Sequence, residues 1–138
     1  ELKETAFPPV PSSEEFESLI MTGNIEKAAA IFREAKRLNP ELVLFDEQAL
    51  NLYAFRFTQQ NRLEKVLAIR QLAAEVFPQS VNALDNLGNA YQAVEQKQAA
   101  AECFEKALAL LDKTDQRDNA EKEKMRKMLQ EKIKVNHN

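Results

Sequence analysis

Leu84-Asp85-Asn86-Leu87-Gly88-Asn89-Ala90-Tyr91, followed by Ala100, Phe104 and Ala107, is the stretch that decides the fold. Leu84, Leu87 and Tyr91 recur at spacings of three and four residues, the signature of one helix face. Ala100, Phe104 and Ala107 repeat that spacing after a gap long enough for a turn. Gly88 falls inside the first helix, where glycine costs about 1 kcal/mol relative to alanine. It is tolerated there only if another helix must come close to its backbone. The block therefore predicts a helix-turn-helix in which large side chains face small ones.

Working outward, the same pattern recurs. Phe7-Pro8-Pro9-Val10-Pro11 forbids helix, so residues 1–11 read as a lead-in or linker. Ser12 and Glu15 form a capping box ahead of Phe16, Leu19 and Ile20. Gly23-Asn24 stops that helix and caps a second one carrying Ala28, Ile31, Phe32 and Ala35. Leu50, Tyr53, Ala54 and Phe57 mark a third helix. Asn61 and Glu64 suggest a capping box for a fourth, whose stripe is Val66, Ile69, Leu72, Ala73 and Val76. Phe77-Pro78 closes it, and Ser80 opens the next pair.

Aligning these pairs gives units at about 9–42, 47–80 and 81–114, the first overlapping the lead-in, so that the repeat region is taken as 12–114. Ala28, Val66 and Ala100 correspond, as do Phe32, Arg70 and Phe104, and Ala35, Ala73 and Ala107. The last two units start at 47 and 81, a spacing of 34 residues. Val43-Leu44-Phe45-Asp46 is an insertion before them. Leu42 through Phe45 is an apolar run that reads either as an irregular core turn or as a patch for a parent domain or a second copy. From Asp118 the chain predicts one more helix, carrying Ala120, Met125, Met128, Leu129 and Ile133, within a capping segment at 115–135, with 136–138 as a disordered tail. Residues 112–134 hold eight bases against six acids, a solvated cap rather than a membrane or anion surface.

These residues resemble the tetratricopeptide repeat (TPR) family: leucine, Leu87-Gly88 and Tyr91 in the first helix, then Ala100, Phe104 and Ala107 in the second. The resemblance implies an all-α fold, a right-handed superhelix of three helix-turn-helix repeats with a C-terminal capping helix. It departs from the family pattern at Phe16, which stands where Ala54 and Gly88 are small, and at Arg70, which replaces an aromatic residue. A narrower likeness joins Phe45-Asp46-Glu47-Gln48-Ala49-Leu50-Asn51, Gln59-Gln60-Asn61-Arg62 and Phe77-Pro78-Gln79-Ser80-Val81-Asn82 to helical tails of bacterial serine hydrolases, esterases and β-lactamase-like enzymes. Those tails usually carry glycine at the place of Asn61, which accepts the same left-handed turn. It implies an accessory or dimerisation domain whose catalytic domain lies upstream of residue 1. Because the sequence starts at Glu1, a processed product or an excised fragment is expected.

Composition narrows the activity. With 138 residues, 44% hydrophobic, 30% charged and only two glycines, the chain matches an all-helical domain. A net charge of −3 with both signs mixed gives no footprint for nucleic acid. No apolar run approaches the ~18 residues of a membrane span, and no signal peptide is visible. Cys103 is the only cysteine, which excludes an internal disulfide and leaves cytoplasm and periplasm equally open. His137, the only histidine, lies in the expected tail, so no nucleophile–base pair, metal cluster or phosphate loop is expected, and no cofactor. Cys103 reads as a buried small hydrophobe.

What remains is a surface. The family resemblance implies that the second, fifth, ninth and twelfth positions of a unit line a concave groove. These are Gln48, Asn51, Phe55 and Thr58 in the second unit, and Asn82, Asp85, Asn89 and Gln92 in the third. Amides there suit the backbone of an extended peptide and Phe55 an apolar anchor; the alternative is an ordinary solvated helix face. Heat-shock co-chaperones of the family clamp a terminal carboxylate with lysine, asparagine and arginine. The matching Ser13, Glu17, Leu52, Asn82 and Asn86 include no cation, which argues against that role. The expected partner is a protein, a peptide or a covalently attached domain of the parent chain, with a homodimer as a further option.

Overall fold

The computed structural model describes residues 13–43, 45–113 and 117–137, apart from the side chain of Ser13. Its elements are helices: α1 (Ser13–Met21), α2 (Ile25–Leu38), α3 (Glu47–Gln59), α4 (Leu63–Val76), α5 (Val81–Ala93), α6 (Lys97–Lys113) and α7 (Asn119–Asn136). Among the described residues there is no strand. The lead-in, Ser12 and Leu44 lie outside the described residues, so the Ser12 capping box does too.

Consecutive helices pair as the apolar spacing requires. Leu84, Ala100, Phe104, Ala107 and Leu111 are buried together between α5 and α6, and Leu129 of α7 closes that cluster. Phe104 lies directly on Gly88: a β-carbon built there would stand 2.4 Å from the ring. The close approach read from the glycine is thus the contact that joins α5 to α6. The first two pairs share a second cluster containing Phe16, Phe32, Phe57, Ile69 and Leu72.

Phe16, at a position where the repeat pattern asks for a small residue, is accommodated by the insertion. The Phe45 ring packs edge-on to Phe16 at 4.9 Å between centroids and tilted over Phe32 at 5.8 Å. Phe45 is buried while neighbouring Val43 is 79% exposed, so the apolar run is part core and part surface. The insertion also supplies a cap: Asp46 accepts from the Gln48 N–H at 2.9 Å and starts α3.

The turns within the pairs repeat one geometry. Gly23, Asn61 and Glu95 stand at the same place in successive units, with φ of 87°, 55° and 63°. In each, the following N–H donates back across the turn: Asn24 to Leu19, Arg62 to Phe57, Gln96 to Tyr91. This is the Schellman closure, which a left-handed residue permits. Asn61 therefore ends α3 instead of capping α4. Arg62 occupies the cap position without a side-chain cap bond, and the expected Asn61–Glu64 box is not made. Asn24 precedes α2 in the same way, its amide bonded to Thr22.

Ser80 caps α5, accepting from the Ala83 N–H at 3.0 Å, and Asp118 caps α7. The last helix runs one residue past its expected limit. Asn136, which the sequence places in a tail, is helical and 5% exposed, and His137 is the C-cap. Its burial follows from a bond to α5.

Candidate functional site

On α3 the expected groove residues share an accessible strip. Gln48, Phe55 and Thr58 are exposed and Asn51 is half-buried. Phe55 is 56% exposed and Leu52, one turn before it, 49%. Two large apolar side chains one turn apart in water make an apolar foothold, with Asn51 and Gln48 as flanking polar groups.

The third unit differs. Asp85 is only 9% exposed because Lys132 of α7 lies 2.7 Å from its carboxylate. The Lys132 ammonium also sits 5.3 Å from the centre of the Phe104 ring. Asn136 donates to the side-chain oxygen of Gln92 at 2.9 Å, and Arg117 to that of Asn82 at 2.5 Å. Thus Asn82, Asp85 and Gln92 are held by the C-terminal segment of the same chain; Asn89 alone of this set is exposed without such a bond among the described residues. The reason lies in α7. A helix that buries Leu129 against α6 brings its Lys132 and Asn136 over α5. The sequence shows the basic residues of α7 but not which face they meet.

Arg70 is legible in the sequence only as a missing aromatic. It projects from α4 and donates to the side-chain oxygen of Asn51 at 2.5 Å. Its counterparts Phe32 and Phe104 are 4% and 0% exposed. Burial lowers the pKa of the Arg70 guanidinium from its ordinary value. The strip on α3 therefore does contain a cation, delivered from the second helix of the pair.

A cavity of about 600 Å³ opens between α4, α5 and α6, walled by Ala74, Leu87, Tyr91, Ala99, Cys103 and Leu110. Burial pushes the Cys103 thiol up, and Lys106 opposes this by less. His137 lies 3.2 Å from Glu105. Glu105 is two residues from Cys103 on α6 and so on a different face, which leaves the thiol without a base from that histidine. Among the described residues no group of three ligating side chains is arranged to hold a metal. No described helix is long and apolar enough to cross a membrane.

Residues 81–113 match the family model of the tetratricopeptide repeat. No curated protein matches the chain. Among solved structures, the Sgt2 TPR domain from Aspergillus fumigatus is similar at 20% identity, over 96% of this chain and 87% of that one, with a TM-score of 0.48. The family match supports the tetratricopeptide part of the sequence resemblance; the likeness to serine-hydrolase tails gains no support.

Proposed function

We propose that this chain is a non-catalytic interaction module that holds an extended peptide along α3. Helix pairs of this family commonly serve protein–protein interaction, and the reading agrees with that role. The observation that carries it is Phe55, an aromatic side chain 56% exposed beside the Asn51 amide. An aromatic anchor contributes most of the binding energy in such contacts, and flanking amides pair with peptide N–H and C=O groups. Gln48 and Asn89 extend the polar contacts. Of the other groove residues expected from the sequence, Asn82 and Gln92 are exposed while bonded to Arg117 and Asn136, and Asp85 is buried under Lys132.

The test is selection of peptides from a random display library, followed by affinity measurement on variants. Truncating Phe55 to alanine is expected to cost about 2 kcal/mol, roughly thirtyfold in affinity, with helicity unchanged. Val43→Ala, exposed but off α3, serves as control. Equal binding by the Phe55→Ala and parent proteins would overturn the reading.

A further inference from the structure

We infer that the outer face of α7 is a self-docking surface, on which two copies of this chain pair antiparallel, α7 against α7, about a two-fold axis. The inference stands apart from the peptide reading of α3. Among the described residues α7 packs on α6, where Leu129 is fully buried. In a stack of helix pairs each helix is covered by the next, and the outer side of α7 faces water instead. Ala120, Lys124, Met128, Glu131 and Val135 are all exposed. At 3.6 residues per turn they share about 80° of arc, and Leu129 points roughly 140° away from its middle. Met128 is 40% and Val135 49% exposed, which gives this stripe two large apolar side chains in water.

The charges of the stripe are self-complementary. Other bases of α7 are engaged within the chain: Arg126 pairs with Asp112 and Glu123, and Lys132 with Asp85. Among the described residues no ion pair engages Lys124 or Glu131. A two-fold axis between residues 127 and 128 puts Lys124 and Glu131 each about 5 Å from it along the helix, on opposite sides. Lys124 of each copy then meets Glu131 of the other. Ala120 meets Val135 in the same way about 11 Å out, and the two Met128 side chains meet at the axis. A parallel pair would set lysine on lysine and glutamate on glutamate, so the charges select the antiparallel one. The two Lys127 side chains stand at the other rim, where their stems cover apolar surface and their ammonium groups stay in water. That like-charged rim and the small apolar area make the contact a weak one.

The closing experiment is sedimentation equilibrium of the 138-residue chain. The parent is expected to dimerise with a dissociation constant of roughly 0.1–1 mM, as befits a small interface. Lys124→Glu and Glu131→Lys each set like charges against one another and should weaken the dimer about tenfold or more. Both positions are exposed, so far-ultraviolet circular dichroism should not change. Mixing the two variants restores both ion pairs between unlike copies, and the mixture should regain the association that each variant lacks alone. Lys27→Glu, a reversal at an exposed position on α2, controls for net charge and should dimerise like the parent. A parent that stays monomeric up to about 1 mM would overturn the inference. So would a dimer that both reversals leave intact, or a mixture no more associated than its components.

Discussion

Replacing Gly88 with alanine tests the contact on which the α5–α6 pair is built. The added β-carbon would lie 2.4 Å from Phe104 Cε1 and 2.7 Å from Cδ1 and Cζ. Unstrained carbon contacts sit at about 3.5–4.0 Å, so ring or helix must shift by roughly 1 Å. Phe104 is fully buried with Ala107, Leu111 and Leu129, which leaves the ring little room. Overpacking of a dense core costs about 1–3 kcal/mol. Against that, alanine gains about 1 kcal/mol in helix propensity over glycine. The contact at 2.4 Å is severe and its partner buried, so the net effect is a loss of about 1–2 kcal/mol. Urea titration followed by far-ultraviolet circular dichroism should show a lower midpoint with an unchanged slope. Phe104→Leu, made in both backgrounds, should be less costly in the Gly88→Ala protein than in the parent, with a coupling of about 1 kcal/mol. A Gly88→Ala protein more stable than the parent would refute the reasoning, because propensity would then outweigh the contact.

Two further outcomes follow from the same physics. Glu95→Gly should stabilise the chain by about 1 kcal/mol, since a side chain in the left-handed region is costly and Gly23 already occupies the equivalent turn; an unchanged or lower urea midpoint would contradict this. The raised pKa of Cys103 gives a pH dependence with a definite sign. Below the unfolded thiol's pKa of about 8.5 both states are protonated and the contribution is complete. Above it the unfolded chain sheds its proton first, so stability falls until the folded thiol ionises. The stability difference between the parent and Cys103→Ala should therefore change between neutral and alkaline pH in the direction that disfavours the parent. A difference flat with pH would show that the thiol titrates normally.

The two halves of this molecule are not equally legible in the sequence. Leu84, Gly88, Phe104 and Ala107 announce the α5–α6 pair because each sits on a repeating face, and a glycine in mid-helix is costly unless a neighbour needs the space. The turns are half legible. Asn61 is recognisable as a residue that tolerates a left-handed conformation, yet its assignment to the start of α4 is wrong, because asparagine serves both as an N-cap and as the left-handed residue that closes a helix. Only the backbone bond from Arg62 to Phe57 distinguishes the two. Phe16 and Phe45 are ambiguous singly, since neither follows the repeat. Their meaning is that each fills the space the other leaves.

The surface is the least legible part. Asn82, Asp85 and Gln92 carry the same chemistry as Gln48 and Asn51, and nothing local separates them. By itself the sequence determined the helices, their pairing and the small-on-large contact at Gly88. Those follow from a spacing that repeats along the chain and is written in it. Which polar groups find a partner within the chain depends on pairings outside the repeat: Arg70 is 19 residues from Asn51, Asn136 is 44 from Gln92 and Lys132 is 47 from Asp85. Such pairs leave no periodic trace. Only packing α7 onto α6, and α4 onto α3, decided that Asp85 is buried under Lys132 and that Asn51 meets Arg70.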